Sequence, residues 1–195
     1  TSFYGVYAAY RDTRIYNGLS QYSYQMPTDS LADLTAASFK WSVIKQPRVW
    51  GGVLGALAVA RAVTYFAYPE GAKITRAKAS SFSSQWPVVA LPVGMGEEAY
   101  FRGFLQSALS EIFDPMTGNI AASLLFGAAH IPNALALEKE HQWRYYAFSL
   151  PLITAIGSYL GWLTQTSHSL QQSVAVHTWY DFVLFSLGAF ATDAA

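Results

Sequence analysis

The sequence has no cysteine among its 195 residues. Disulfide bridges and thiolate metal sites are therefore excluded. It is also short of charge. Lys and Arg number 12, Asp and Glu number 12, and the formal net charge is zero. With no basic block and no net positive charge, nucleic acid is not expected as a partner. Charged residues make up 12% of the chain, about half of the ~25% typical of soluble domains. That deficit argues against a globule wetted on every side. No internal repeat or low-complexity segment is present, which excludes repeat arrays. The first residue is Thr1 rather than Met. It reads as a processed, trimmed or partial start, and no signal peptide is legible there.

What the chain does have is apolar and aromatic. Hydrophobic residues make up 52% and aromatic residues 16%, as in a membrane protein with wide aromatic belts. The mean hydropathy of +0.19 is modest, so a polar part lies outside the bilayer. Five stretches come near the ~20 residues that a bilayer crossing needs: 49–68, 86–113, 119–137, 145–166 and 170–190. The expected fold is all-α. It is a polytopic transmembrane helical bundle of about five spanning helices in an integral, multi-pass membrane protein, with the lipid bilayer as its first partner. Residues 49–195 form that membrane domain. Residues 1–48 form a polar N-terminal arm rich in tyrosine (Tyr4, Tyr7, Tyr10, Tyr16, Tyr22 and Tyr24). The run Met26-Pro27-Thr28-Asp29-Ser30 breaks the arm, with Thr28 or Asp29 expected to cap a helix through Leu31, Leu34 and Phe39. Asp114-Pro115 reads as a turn that starts a helix. The loops 69–85 and 138–144 carry basic residues and the alternate loops carry none. That favours placing the two basic loops and the C-terminus on the cytoplasmic side. The arm, with Arg11, Arg14, Lys40, Lys45 and Arg48, would then lie outside, so the charges leave the orientation open.

Charges stand where an apolar stretch should have none. Gly96-Glu97-Glu98-Ala99-Tyr100-Phe101-Arg102-Gly103 lies inside the second stretch. A charge at the centre of a span costs roughly 2.5–3.5 kcal/mol and usually faces a protein interior or a wet cavity. Glu98 and Arg102 are four apart, share a helix face and can neutralise each other. Glu97 is rotated about 100° away with no cation at the next turn. It is the carboxylate left free for chemistry, and an apolar setting suits it to general-base work. Gly96 and Gly103 flank the cluster and permit close helix approach.

Two more stretches carry polar groups. His130 follows small residues in Phe126-Gly127-Ala128-Ala129-His130, and Pro132 should end or kink its helix. His177 and Asp181 are four apart and share a face, so Asp181 can orient the imidazole. Each piece alone also has a structural explanation: a self-paired ion cluster, an interhelical hydrogen bond, a structural His–Asp pair. Together, on three separate spans, they describe a buried polar site.

At these residues the chain resembles a known family. Glu97-Glu98-Ala99-Tyr100-Phe101-Arg102 is similar to an EExxxR motif, Phe126–His130 to FxxxH and His177–Asp181 to HxxxN/D, in order. They resemble the CPBP group of membrane proteases, which includes CAAX prenyl endopeptidases and bacteriocin-processing (ABI) proteins. The resemblance covers about residues 86–187. The first 85 residues match no family motif, and the family's usual span count exceeds five. The resemblance implies a glutamate-type intramembrane endopeptidase acting on a peptide or protein substrate. Glu97, helped by His130, would activate a water. His177 and Asp181 would stabilise the oxyanion, a donor role worth about 2.7–4 kcal/mol in other hydrolases. Glu98 and Arg102 would hold the site in place. Two His and a Glu could bind zinc, yet the close HExxH spacing is missing, so neither a metal nor another cofactor is expected. The alternative reading is a catalytically silent relative that serves as a structural subunit of a larger membrane complex, docked through residues 1–48. A third and weaker reading makes His130 and His177 ligands of a pigment or haem.

Overall fold

The computed structural model describes residues 3–67 and 86–193, and among these every regular element is a helix. The basic loop 69–85 lies outside the described residues. Helix α1 spans Phe3–Asn17 and is followed by a short 3-10 turn, Leu19–Gln21. Helices α2 (Leu31–Ala37) and α3 (Trp41–Ile44) are short. Helix α4 spans Pro47–Ala67. Helix α5 begins as Trp86–Glu98, passes through a π-helical segment, Ala99–Gln106, and resumes as Ser107–Ile112. Helix α6 is Pro115–Ala129, continued by a 3-10 segment, Ile131–Ala136. Helix α7 runs from Lys139–Arg144 through a π-helical turn, Tyr145–Ser149, into Leu150–Ser167. Helix α8 is Gln171–Asp193.

Local chemistry explains the boundaries. The Asp114 carboxylate accepts hydrogen bonds from the backbone N–H groups of Met116 and Thr117 at 2.9 and 3.0 Å. Pro115 occupies the first turn, where its missing N–H does no harm. The third expected span, 119–137, is divided: α6 stops at His130, and Pro132 permits only the tighter 3-10 continuation. The cap of α2 differs from expectation too. Ser30, not Thr28 or Asp29, closes its N-terminus. The Ser30 hydroxyl accepts from Asp33 N, and the Asp33 carboxylate accepts from Ser30 N at 3.0 Å. Asp29 instead caps α8, accepting from Leu170 N at 2.7 Å, Ser169 Oγ at 2.9 Å and Gln171 Nε2 at 2.8 Å.

Helix α8 packs along the first half of α5 and also touches α2, α3, α4 and α7. Helix α6 lies against α7 and the later half of α5, and α1 covers the π-helical segment of α5. One apolar cluster joins Tyr7, Tyr24, Met26 and Leu34 to Ala99 and Val174. A second joins Val49 and Val53 of α4 to Leu160 and Leu163 of α7 and Val176 of α8. Residues 3–44 thus lie against α5 and α8. Of the two glycines flanking the charged cluster, Gly103 makes the close approach. A Cβ there would lie 2.7 Å from Tyr7 Cε2, whereas one on Gly96 would find Phe3 at an ordinary 3.9 Å.

Among the described residues two helices are long and apolar enough to cross a membrane: Pro47–Ala67, with hydropathy 1.4, and Lys139–Ser167, with 1.3. Helices α5 and α8 are long as well, but they carry the charged and histidine residues. Helix α6 has 15 residues, short of the ~20 for a full crossing.

Candidate active site

The sequence places Glu97 and Glu98 at adjacent positions on α5, so their side chains leave the helix about 100° apart. The imidazole of His177 on α8 lies between them. Its Nδ1 is 2.8 Å from Glu98 Oε1, and its Nε2 is 3.8 Å from Glu97 Oε2. A carboxylate accepts, so Nδ1 carries a proton and donates to Glu98. On its far side Nε2 also faces Asp181 Oδ2 at 3.4 Å, one turn along α8.

Glu98 has a second partner. Arg102 Nη1 lies 3.2 Å from Glu98 Oε1, and both side chains are 0% exposed. A buried pair of this kind needs further hydrogen bonds to offset its desolvation. Arg102 Nη2 donates to the backbone carbonyl of Gly157 on α7 at 2.9 Å. The guanidinium carbon sits 4.3 Å from the centre of the Phe126 ring, a cation–π contact. Gly157 permits this approach, since a Cβ there would come within 3.0 Å of Arg102 Nη2 and 3.1 Å of Phe126. Below this pair on α5, Gln106 Nε2 donates to Gly161 O at 3.0 Å. From α6, Asn119 Nδ2 donates to Ser158 O at 3.1 Å. Three side chains thus tie α7 to its neighbours through the spare lone pairs of its carbonyls.

Glu97 is on the open side. Its Oε2 is buried and has no hydrogen-bond partner among the described residues. It faces His177 Nε2 at 3.8 Å and His130 Nε2 at 4.0 Å. The His130 ring is fixed from behind, where Nδ1 lies 2.8 Å from Phe126 O. A carbonyl can only accept, so Nδ1 bears the proton, and Nε2 is the ring nitrogen turned towards Glu97, where the Nδ1–H tautomer offers a lone pair. Tyr145, in the π-helical turn of α7, donates its hydroxyl to His130 O at 3.1 Å.

A cavity of about 390 Å³ opens at this point. Glu97, His130, His177 and Asp181 form its polar end. Val93, Ile153, Ile156, Leu160, Val176 and Leu184 form apolar walls, with Asn133, Tyr145 and Tyr180 also in the lining. Of the candidate site residues, Glu97, His130, His177 and Asp181 therefore line the cavity, and Glu98 and Arg102 stand behind His177. Sequence reasoning missed the bridge from His177 to Glu98, the Gly157 carbonyl, Phe126 beneath Arg102, and Tyr145. None of these leaves a local signal, because each partner lies on a different helix.

The three-residue group with ligand atoms all within 4.8 Å of one another is Glu138, Glu140 and His141, at the solvent-facing start of α7. Glu97, His130 and His177 are not such a group among the described residues.

The family model described as Type II CAAX prenyl endopeptidase Rce1-like matches residues 79–183, more than half of the chain. No curated protein and no solved structure matches.

Proposed function

This chain belongs to the Rce1-like family of type II CAAX prenyl endopeptidases, and from that premise we propose that it is an active intramembrane glutamate endopeptidase. The observation that supports this most is the unpartnered oxygen of Glu97. It faces two imidazole nitrogens across 3.8 and 4.0 Å, too far for direct hydrogen bonds and suited to a bridging water. Glu97 takes a proton from that water, with the Nε2 lone pair of His130 as second acceptor. The oxygen attacks the scissile carbonyl, forming a C–O bond. Charge develops on the carbonyl oxygen and is met by His177 in its Nε2-protonated form, oriented by Glu98 behind it and Asp181 beside it. The proton then passes from Glu97 to the amide nitrogen as the C–N bond breaks. Glu98 and Arg102 hold the frame.

The apolar walls suit an aliphatic or lipid-modified peptide tail. In this reading α4, α5, α6 with its 3-10 extension, α7 and α8 cross the bilayer as five spans. Residues 1–48 form an arm that also offers an attachment surface to a partner.

The test uses the full chain, purified in mild detergent, and two fluorogenic peptides ending in a CAAX tail, one prenylated and one not. Cleavage of either peptide by the parent protein, abolished in Glu97→Gln, is the expected result. A folded parent protein that cleaves neither peptide and copurifies in stoichiometric amount with another membrane protein would give the silent-subunit reading instead.

A further inference from the structure

Tyr7 and Asp29 lie outside the residues matched by the family model, yet each seats on a helix that carries the site. The Tyr7 ring is fully buried and lies on Gly103, within the π-helical segment that begins one residue after Glu98. Neighbouring arm aromatics extend this contact. Phe3 stacks on Tyr100 at 5.1 Å and Tyr10 meets Phe104 edge-on at 5.2 Å. The Tyr7 hydroxyl is 3.1 Å from the carbonyls of Pro27 and Asp29, and Arg11 Nη1 donates to that same Asp29 carbonyl at 2.8 Å. The Asp29 carboxylate in turn caps α8 through Leu170 N, Ser169 Oγ and Gln171 Nε2. A short rigid strut thus runs from α5 to α8, the two helices that carry Glu98 and His177.

We propose that Tyr7 and Asp29 are positioning residues that set α5 against α8 and so fix the Glu98–His177 hydrogen bond. This proposal rests on the endopeptidase reading for its functional consequence. The physical reason lies in the π-helical segment. Such segments are rare and depend on their surroundings. Relaxing one into α-helix changes the register by a residue, which turns everything beyond it by about 100°. Arg102 lies inside that segment. A turn of that size would take its guanidinium off the Gly157 carbonyl and away from Glu98, leaving the carboxylate that orients His177 without its cation. The Tyr7 ring blocks that route by filling the space beside Gly103. Asp29 fixes the other foot, seven residues before His177, by holding the first turn of α8.

The test reads the site directly. The chain has 4 histidines, so the full-length protein labelled with ¹⁵N-histidine in detergent micelles allows assignment by single substitution. Tyr7→Ala is expected to move the His177 Nδ1 resonance and leave His141 unmoved. Tyr7→Phe keeps the ring beside Gly103 and cuts only the hydroxyl link to Pro27 and Asp29, so it should move His177 less than Tyr7→Ala does. Should Tyr7→Ala fail to fold, Asp29→Ala, which removes the cap of α8, takes its place with the same expected shift. On a peptide cleaved by the parent protein, the displaced variants should lose roughly ten- to a hundredfold in kcat with KM within about twofold, as expected for misplaced catalytic groups. An unmoved His177 resonance in folded Tyr7→Ala or Asp29→Ala overturns the positioning role, whether or not any peptide is cleaved. Wild-type turnover in Glu97→Gln would instead overturn the endopeptidase reading, and the resonance comparison would stand unaffected.

Discussion

The two sides of the His177 ring differ in kind. Behind it, Glu98 and Arg102 are fully buried and locked by contacts at 2.8, 3.2 and 2.9 Å. In front, Glu97 keeps about a fifth of its side chain exposed, and its gaps of 3.8 and 4.0 Å join it to nothing directly. The closed side pairs its opposite charges within the protein, although Glu98 Oε2 and Arg102 Nε and Nη1 make no hydrogen bond among the described residues, and removing one member strands the other. The open side leaves a carboxylate oxygen and a histidine lone pair unsatisfied, facing a cavity. Adjacent residues on one helix thus take opposite parts. One carboxylate holds the ring, and its neighbour is left available to reagents.

Substitutions on each side break this contrast in different observables. The largest effect is expected from Glu97→Gln. Turnover should fall roughly 10²–10⁴-fold, the usual contribution of a general base. The unfolding midpoint in detergent should hardly move, since Glu97 Oε2 has no hydrogen-bond partner to lose among the described residues. Equal loss of stability would show that Glu97 belongs to the frame.

Next comes Arg102→Met. Removing one partner of a buried ion pair costs about 3–5 kcal/mol, so thermal unfolding should shift strongly downward and expression should suffer. A variant as stable as the parent would show that the closed side is not what holds the helices.

Gly157→Ala sharpens the same side with a single methyl group. Its Cβ would meet Arg102 Nη2 and the Phe126 ring within 3.1 Å, and overpacking of that kind costs about 1–3 kcal/mol. The combined variant with Arg102→Met should lose less than the sum of the two, because the part of the clash made with the guanidinium disappears while that with Phe126 stays.

The smallest expected effect is that of Tyr145→Phe on the open side. It removes the hydrogen bond to His130 O, worth about 0.5–1.5 kcal/mol. A decrease in turnover greater than the loss in stability would place Tyr145 among the groups that orient His130.

Much of this arrangement is legible in the sequence. Four-residue spacing put Glu98 with Arg102 and His177 with Asp181, because a helix returns to the same face after about one turn. The lack of a cation at the next turn marked Glu97 as the carboxylate not paired along its own helix. Asp114 and Pro132 marked the ends of α6. The cap of α2 lies one or two residues beyond the expected Thr28 or Asp29, because all three residues are able caps and only the Asp33 carboxylate selects Ser30.

What sequence alone determined is the local order: an all-helical chain, which side chains share a face, and which carboxylate is paired at the next turn. These follow from the fixed rise and twist of the helix. Only tertiary structure decided that His177 reaches across to both glutamates, that the Gly157 carbonyl holds Arg102, and that Tyr7 rests on Gly103. Those contacts join residues 55 to 96 positions apart, across helices whose relative placement is set by packing and not by any nearby residue. The π-helical segment belongs with them, since an altered helical register is stabilised by what lies against it rather than by its own composition.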